Sequence, residues 1–542
     1  MTQQEELAAL RLLVEKQKEL LEEKERIIQK QNIQIENMIQ ALLHARKKLF
    51  GPSTEVSVQT EGQMSLFESV QELAKDLGLE QKKITVRPYT RTARQPGVRA
   101  EMLAGLPQEV EEYIIPADET CRVCGGKLVT VGKKLVRTEV EFVPAKLVVK
   151  HVIQQVAKCS VCGTAEGENP ACHFQKAAVP APPLPHSIST PSLVAQVMYQ
   201  KYALGLPLAR QEKDWYRLGL VLSRNDMANW IIRCSQEWLE PVYGRMLEHL
   251  REHCEVLHMD ETRIQCNKEA GKKAGSESFM WVIRSAACEG IQAAFFHYAK
   301  SRNGDTAAEL LSGFHGYLVT DAYSGYEKVE GITRCLCWSH VRRYYIESIP
   351  LDSSGKELPG SKGAEGRAYI DLLFRTEDRI RDLPYEEKKQ KRQEAVRPVL
   401  DAFWSWVEKT SALTTANERL TKALVYSTNQ KKYLETFMED GRIPVSNNLC
   451  EANIKPFATA RRAWLFADTP KGARASAVLY TLVESAKANG LDVFGYLKYL
   501  LTEMPNNHHL EHPEIIDRYL PWSAELPEEC RLKHKNTKCL KK

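Results

Sequence analysis

Leu7, Val14, Leu21, Ile28, Ile35, Leu42 and Leu49 recur at every seventh position, and neither Gly nor Pro interrupts the chain before Gly51-Pro52. An apolar period of seven sustained this long fits an α-helix and no strand, and its strictness favours a left-handed coiled coil. A flanking row, Leu10, Leu13, Leu20, Ile27, Met38 and Ile39, widens the stripe. At 1.5 Å per residue the helix would reach about 65 Å. Gln17, Lys24 and Gln31 make one seam partly polar. Two occupants suit such a stripe: a second copy of the chain, which we expect, or another part of the same chain.

The rest of the 542 residues leaves room for roughly three to four domains. A hydrophobic fraction of 43% with 27% charged residues excludes a mostly disordered chain. No run of 18 apolar residues offers a membrane span, and the N-terminus lacks a basic-then-apolar leader, so a cytoplasmic protein is expected. The net charge of +5, from 75 basic and 70 acidic residues, is too small to establish a nucleic-acid partner; local clustering must decide.

Composition shifts divide the chain into a zipper over 1–51, a basic linker over 52–105 around one short helix (roughly Met64 to Leu79), and a cysteine-bearing module over 106–178. Val179-Pro-Ala-Pro-Pro-Leu-Pro185 reads as a stiff connector opening a helical segment over 179–250. Within it, Thr190-Pro191-Ser192 is a helix start, and helices around Trp215–Leu220 and Ser223–Trp230, with Gly219 between them, resemble a helix-turn-helix. Strand-like runs follow at Glu255–Asp260, Phe279–Arg284, Gln292–Tyr298 and Tyr317–Asp321, with a helix signal at Thr306–Leu311. Long charged helices over 365–440 and further helices over 446–503 precede a basic tail, which reads as disordered.

Cys121-Arg-Val-Cys124-Gly and Cys159-Ser-Val-Cys162-Gly repeat one knuckle. With 14 cysteines, chance would supply about 0.4 such spacings per chain, so two, each followed by Gly, point to design. Without a secretory leader, cysteines in a long chain read as reduced thiols or metal ligands. Two thiolates three residues apart chelate one Zn²⁺ in a tight turn, and four close a tetrahedral structural site. Thr138–Val143 and Lys146–Ile153 alternate like a hairpin between the knuckles, which predicts a zinc ribbon; Cys172 and His173 are weaker substitute ligands, and a redox dithiol pair is the rival reading.

Asp260 and Asp321 each end a β-run, and Glu451 follows Asn447-Asn448, a helix start. A single such Asp is most simply a strand-terminating cap. Two on successive strands, joined by a third carboxylate, form a different object. Unit charges 4 Å apart repel by about 4 kcal/mol at an effective dielectric near 20, so the cluster needs a cation. Hard oxygens select Mg²⁺ or Mn²⁺, and two such ions suit displacement at phosphorus. Glu484 is a rival third acid, whereas strand alternation sends Glu261 to the opposite face.

Met-Asp260-Glu-Thr, Thr-Asp321-Ala-Tyr-Ser-Gly-Tyr, Cys337-Trp-Ser-His340-Val-Arg-Arg, Ser446-Asn-Asn-Leu-Cys-Glu451 and Arg461-Arg-Ala-Trp-Leu-Phe466 together resemble transposases of the insertion-sequence-66 family. So do the zipper with Arg46-Lys-Lys-Leu-Phe-Gly51, the paired knuckles, the stretch from Leu206 to Trp230, and Leu482–Asp492, in the same order over nearly the whole chain. Cys450 before the Glu, and Arg122 in the first knuckle, depart from the usual pattern without removing a ligand. The resemblance implies a multidomain α+β protein: coiled coil, zinc ribbon, helical DNA-binding segment, and an RNase H-like core over 251–470 interrupted by a helical insertion at about 345–440, then a C-terminal segment over 471–542. It implies a catalytic triad of Asp260, Asp321 and Glu451 holding two Mg²⁺ or Mn²⁺ ions, and structural Zn²⁺ on Cys121, Cys124, Cys159 and Cys162.

The expected partner is double-stranded DNA, at element ends and target, in a nucleoid-associated cytoplasmic protein that self-associates through its zipper, with or without accessory proteins. Arg342, Arg343, Lys455, Arg461 and Arg462 are candidate phosphate contacts, and Trp464 either stacks on an unpaired base or packs in the core. Cys337 and His340 either bind a second metal or, with Trp338, pack or position DNA beside the acids. Two other functions fit the same residues: a decayed, non-catalytic zinc-dependent DNA-binding regulator, and a two-metal nuclease without strand transfer.

Overall fold

The heptad segment forms one helix, α1 (Gln3–Phe50), in a computed structural model that describes residues 3–50, 68–78, 146–158, 174–413, 416–507 and 512–532, with isolated positions between 110 and 140. Val14, Leu21, Ile28, Ile35, Leu42 and Leu49 are each more than half exposed. The opposite side of the rod is engaged. Gln40 exchanges two hydrogen bonds with the Leu351 backbone (3.1 and 2.9 Å), Asn37 donates to Ala416 O, His44 bonds Ile349 O, and Lys47 pairs with Glu357 at 2.9 Å. At 100° per residue, positions 37, 40, 44 and 47 share one face, about half a turn from 35, 42 and 49.

Helix α2 (Glu68–Asp76) falls within the expected Met64–Leu79, whose residues 64–67 and 79 lie outside the described residues, and it buries Val70 and Ala74. A two-stranded antiparallel ribbon pairs β1 (Val156–Lys158) with β2 (Phe174–Lys176). The expected strand over Lys146–Ile153 is not formed, 146–155 being irregular and exposed; most of its expected partner run, 138–143, lies outside the described residues. The four knuckle cysteines, Cys172, His173 and the tail beyond 532 lie outside the described residues.

The helical segment comprises α3 (Pro191–Tyr202), α4 (Leu208–Arg217), α5 (Arg224–Cys234) and α6 (Glu240–His253). Thr190 and Ser223 cap α3 and α5 by accepting the Leu193 and Asp226 amides, and Gly219 takes φ +89° in the turn between α4 and α5. Met227, Trp230, Ile231 and Cys234 bury one side of α5, leaving Arg224, Asn225, Asn229 and Arg233 exposed.

A mixed sheet follows: β3 (Val256–Gln265), β4 (Glu277–Ser285), β5 (Ala294–Ala299), β6 (Gly316–Thr320) and β7 (Ile332–Leu336), in the order β5-β4-β3-β6-β7. The first three strands are antiparallel; β6 and β7 run parallel to β3, with α7 (Gly304–Leu310) in the crossover. Strand alternation feeds two cores. Leu257, Met259 and Leu318 join the helical segment's core with α14 (Pro470–Ala488) and α15 (Val493–Glu503), whereas Val256 and Val319 join the other. That second core belongs to α8 (Trp338–Ser348) and a helical insertion, α9 (Lys362–Arg379), α10 (Tyr385–Lys391), α11 (Arg397–Ser411) and α12 (Glu418–Glu435). Trp338, Phe403, Trp404 and Trp406 are buried there. From the insertion the chain returns into α13 (Asn448–Trp464), packed on β3 and β4. No helix among the described residues is long and apolar enough to cross a membrane, and the described cysteines are free.

Candidate active site

Strand register brings the first two acids together. Residues 256–258 of β3 pair in parallel with 317–319 of β6, and Asp260 and Asp321 each follow two residues beyond the last pair, close enough for the Asp321 charge to raise the Asp260 carboxyl. Both lie in phase with Val256 and Val319, on the sheet face turned to the insertion. Glu451 arrives from the far side of the insertion, in the first turn of α13. Its helix start is tied to β3, because Asn447 Nδ2 donates to Met259 O at 3.1 Å.

The three acids share one electrostatic environment. Burial foremost, then Glu261, Asp321 and Glu451, push the Asp260 carboxyl up to about 8. Glu451 Oε1 is buried and accepts no hydrogen bond, while His340 Nε2 and Arg343 Nη2 stand 3.9 Å from its two oxygens. A buried carboxylate oxygen without a hydrogen bond is a hard donor that a divalent cation satisfies. Among the described residues the three donor atoms within 4.8 Å of one another belong to Cys337, His340 and Glu451, so Glu451 is placed to bind an ion, and Asp260 and Asp321 would have to draw closer to share one ion with it.

Sequence reasoning missed Arg302, just beyond β5. It pairs with Glu261 and stands 3.5 Å from Asp321 Oδ2, with its guanidinium 4.0 Å from the Tyr323 ring centroid. Glu261 therefore does not leave the neighbourhood. Alternation turns its side chain away from Asp260, yet it accepts from Tyr326 OH at 2.7 Å and shares a cation with Asp321. No local signal marks Arg302; only the sheet order brings it here. Tyr323 N donates to Asp321 Oδ1 at 2.9 Å and fixes that carboxylate.

The rival Glu484 pairs with Lys487 at 2.8 Å on α14 and is not among the groups acting on Asp260. Cys450 Sγ is fully buried and points to Val282 O at 3.6 Å, filling the seam between α13 and β4. Cys337 Sγ, a His340 ring nitrogen and a Glu451 oxygen lie within 4.8 Å of one another, and Cys337 Sγ also accepts the Asn447 amide. Burial holds the Cys337 thiol up at about 11.

The candidate DNA contacts divide. Arg342 pairs within the fold, its Nε 2.6 Å from Asp371. Arg343 is 42% exposed beside Glu451. Lys455 and Arg462 are exposed and share the face of α13 that carries Glu451; Arg461 is half-buried. Trp464 takes the packing alternative, edge-on to Phe457 with Lys201 Nζ over its ring, and leaves Phe466 as the exposed aromatic. Between them Leu465 holds φ +61°, a left-handed conformation that a branched residue adopts only under restraint.

Comparison with known proteins reaches most of the chain. A family model described as "Transposase IS66 family" matches residues 186–475. Models for the "zinc-finger binding domain of transposase IS66", the "IS66 C-terminal element" and "Transposase C of IS166 homeodomain" match 118–163, 481–522 and 40–110. The zinc-finger match spans all four knuckle cysteines. The uncharacterized proteins y4jD and y4hP of Sinorhizobium fredii (strain NBRC 101917 / NGR234) are each 26% identical, over 78% and 76% of this chain and 82% and 75% of theirs. A solved Drosophila P element transposase strand transfer complex aligns with 61% of this chain and 87% of its own at 14% identity and TM-score 0.23, a likeness on which nothing below depends.

Proposed function

Because the chain belongs to the IS66 transposase family, we propose that it cleaves DNA at the ends of an insertion sequence and joins those ends to target DNA, using Asp260, Asp321 and Glu451 in an RNase H-like core. The observation that supports this reading is that Asp321 and Glu451 both act on the Asp260 carboxyl, with the helix bearing Glu451 tied to the inner strand β3. The reaction is hydrolysis of one strand at each end, exposing a 3′-hydroxyl, and in-line attack of that hydroxyl on the target, with no covalent protein intermediate.

Asp260, Asp321 and Glu451 would hold two divalent cations, Mg²⁺ or Mn²⁺, which supply Lewis-acid activation of the attacking oxygen and neutralise charge at phosphorus. Arg302 and the Tyr323 amide hold the Asp321 carboxylate in orientation. Arg343, Lys455, Arg461 and Arg462 draw the phosphodiester backbone to the acids, an attraction that salt weakens steeply. The exposed polar face of α5 is the surface for reading end sequences, and Cys121, Cys124, Cys159 and Cys162 hold a structural Zn²⁺.

The discriminating experiment incubates the protein with end-containing duplex, a second duplex and Mg²⁺. Joined products support transposition. Cleavage without joining indicates a nuclease, and retention of end DNA without nicking indicates a regulator.

Two further outcomes are expected. Burial and the neighbouring acids push the Asp260 carboxyl up to about 8 in the fold, from 3.8 for an ordinary aspartate. The metal-free fold therefore loses stability as pH rises from about 4 through 8, and cation binding must displace that proton. Mn²⁺ affinity, read by loss of the free-ion electron paramagnetic resonance signal, should strengthen about tenfold per pH unit from 6 to 8 and then level off. A flat profile would exclude Asp260 as a ligand. In the zipper, Leu21→Glu with Ile28→Glu puts charge into the exposed stripe and should reduce the mass measured by light scattering to that of one chain. An unchanged mass would move the interface elsewhere.

A further inference from the structure

An asparagine at a helix N-cap ordinarily turns its side chain back onto the amides of its own first turn. Asn447 caps α13 and makes no such bond. Both ends of its amide are spent across the molecule. Nδ2 donates to Met259 O at 3.1 Å, so Oδ1 is the acceptor, and it receives His258 Nδ1–H at 2.8 Å. The backbone N–H of the same residue donates to Cys337 Sγ at 3.0 Å, and Trp338 N donates to Val445 O at 3.1 Å. Asn447 and Cys337 are wholly buried and His258 is 1% exposed.

These bonds join three places distant in the chain: the two residues before Asp260, the start of α8 that carries His340 and Arg343, and the start of α13. The Glu451 amide donates to Asn447 O at 3.2 Å, so the carboxylate lies one helical turn from the clamp. We propose that Asn447, gripped by His258, Met259 O and Cys337, is a positioning residue that sets where Glu451 stands relative to Asp260. The proposal rests on the reading of those acids as cation ligands.

Buried amides of this kind serve two ends, to fill a polar gap or to fix a geometry. The surrendered cap favours the second, since a gap-filler would have kept the helix bond. A carboxylate misplaced by about 1 Å binds its ion poorly, and partners one step behind metal ligands typically govern about 10–100-fold in metal affinity.

The test measures Mn²⁺ binding to the full chain on uncleaved end DNA by electron paramagnetic resonance, beside the Mg²⁺ midpoint for cleavage. In Asn447→Ala, Mn²⁺ affinity should fall about tenfold or more and the Mg²⁺ midpoint should rise equally, with end-DNA affinity unchanged in the absence of metal. Wild-type Mn²⁺ affinity in that variant overturns the proposal. Should Asn447→Ala not fold, His258→Gln, which keeps a donor for Asn447 Oδ1, is compared with His258→Leu, which does not. Rescue by Gln alone supports positioning, and equal affinities overturn it. A Glu451→Gln control separates the two levels: unchanged Mn²⁺ affinity there overturns the acid reading and this proposal with it, whereas loss there without loss in Asn447→Ala overturns the positioning alone.

Discussion

Asp260→Asn is expected to reduce Mg²⁺-dependent cleavage of end DNA by about 10³-fold or more while raising the melting temperature of the metal-free protein. The first effect follows from the several kcal/mol of charge stabilisation that bound cations contribute at phosphorus, at 1.36 kcal/mol per tenfold in rate. The second follows from the crowding at Asp260. Burial, Glu261, Asp321 and Glu451 all disfavour its charge, so above about pH 4 the metal-free fold must take up a proton there, and an amide removes that requirement with little change of shape. Each kcal/mol so relieved is worth about 2–4 °C in a domain of this size. Asp321→Asn and Glu451→Gln should lose activity to the same extent. The former also strips Arg302 of one of its two acidic partners, so it should not share the thermal gain. Loss of activity with gain of stability is the signature of an acid kept for function; a fall in both at Asp260 would make it a structural residue. Retention of end-DNA binding checks that the fold is intact.

The largest expected loss of stability lies away from the acids. Arg392 is wholly buried in the insertion, in a π-turn joining α10 and α11. Its guanidinium makes a fork on Glu377 (2.8 and 2.9 Å) and donates to the carbonyls of Phe437, Asp440 (2.7 Å) and Ile443 (2.8 Å). Removing one partner of a buried, hydrogen-bonded pair typically costs about 3–5 kcal/mol, because the other charge is left uncompensated. Arg392→Ala should cost that much in a denaturant titration, and Arg392→Lys nearly as much, since an ammonium cannot reproduce the planar fork. Residues 437–443 lead the chain back from the insertion towards Asn447. The same variant should therefore weaken Mn²⁺ binding before the protein unfolds globally. Wild-type metal binding in folded Arg392→Ala would show that the return segment holds its course without the arginine.

Periodicity carried much of the architecture. The heptad gave α1, alternation gave four strands, three of them close to their observed limits and the first five residues short of the end of β3, and Thr190-Pro191 and Gly219 marked a cap and a turn that physical chemistry makes nearly obligatory. Asp321 was legible because a carboxylate at the end of an apolar strand is costly wherever it falls; Asp260, expected to end its run, instead stands in the middle of β3, which continues through polar residues to Gln265. What could not be read were contacts decided by pairing order. Arg302 meets Glu261 and Asp321 only because β5 and β6 flank the β3–β4 pair, and Arg342 found Asp371 on a helix that no spacing relates to it. Lys146–Ile153 did not form the expected strand; alternation describes a strand's faces and does not by itself supply a neighbour to bond. Asn447 read as an ordinary cap, and nothing local shows that its amide belongs to another strand.

The bonded side of α1 has a consequence for spacing. A rod fastened to its body at Asn37, Gln40, His44 and Lys47 cannot turn freely, so a second rod lying along its bare stripe stands at a fixed bearing from the acids. Slipping that pair by one heptad would carry the other reactive centre about 10.5 Å along the rod, roughly three nucleotide steps of duplex. Were two rods to pair along that stripe, Gln17, Lys24 and Gln31, which would weaken the grip, would also be the marks by which they find one alignment, and the helix would gauge the stagger between two cuts.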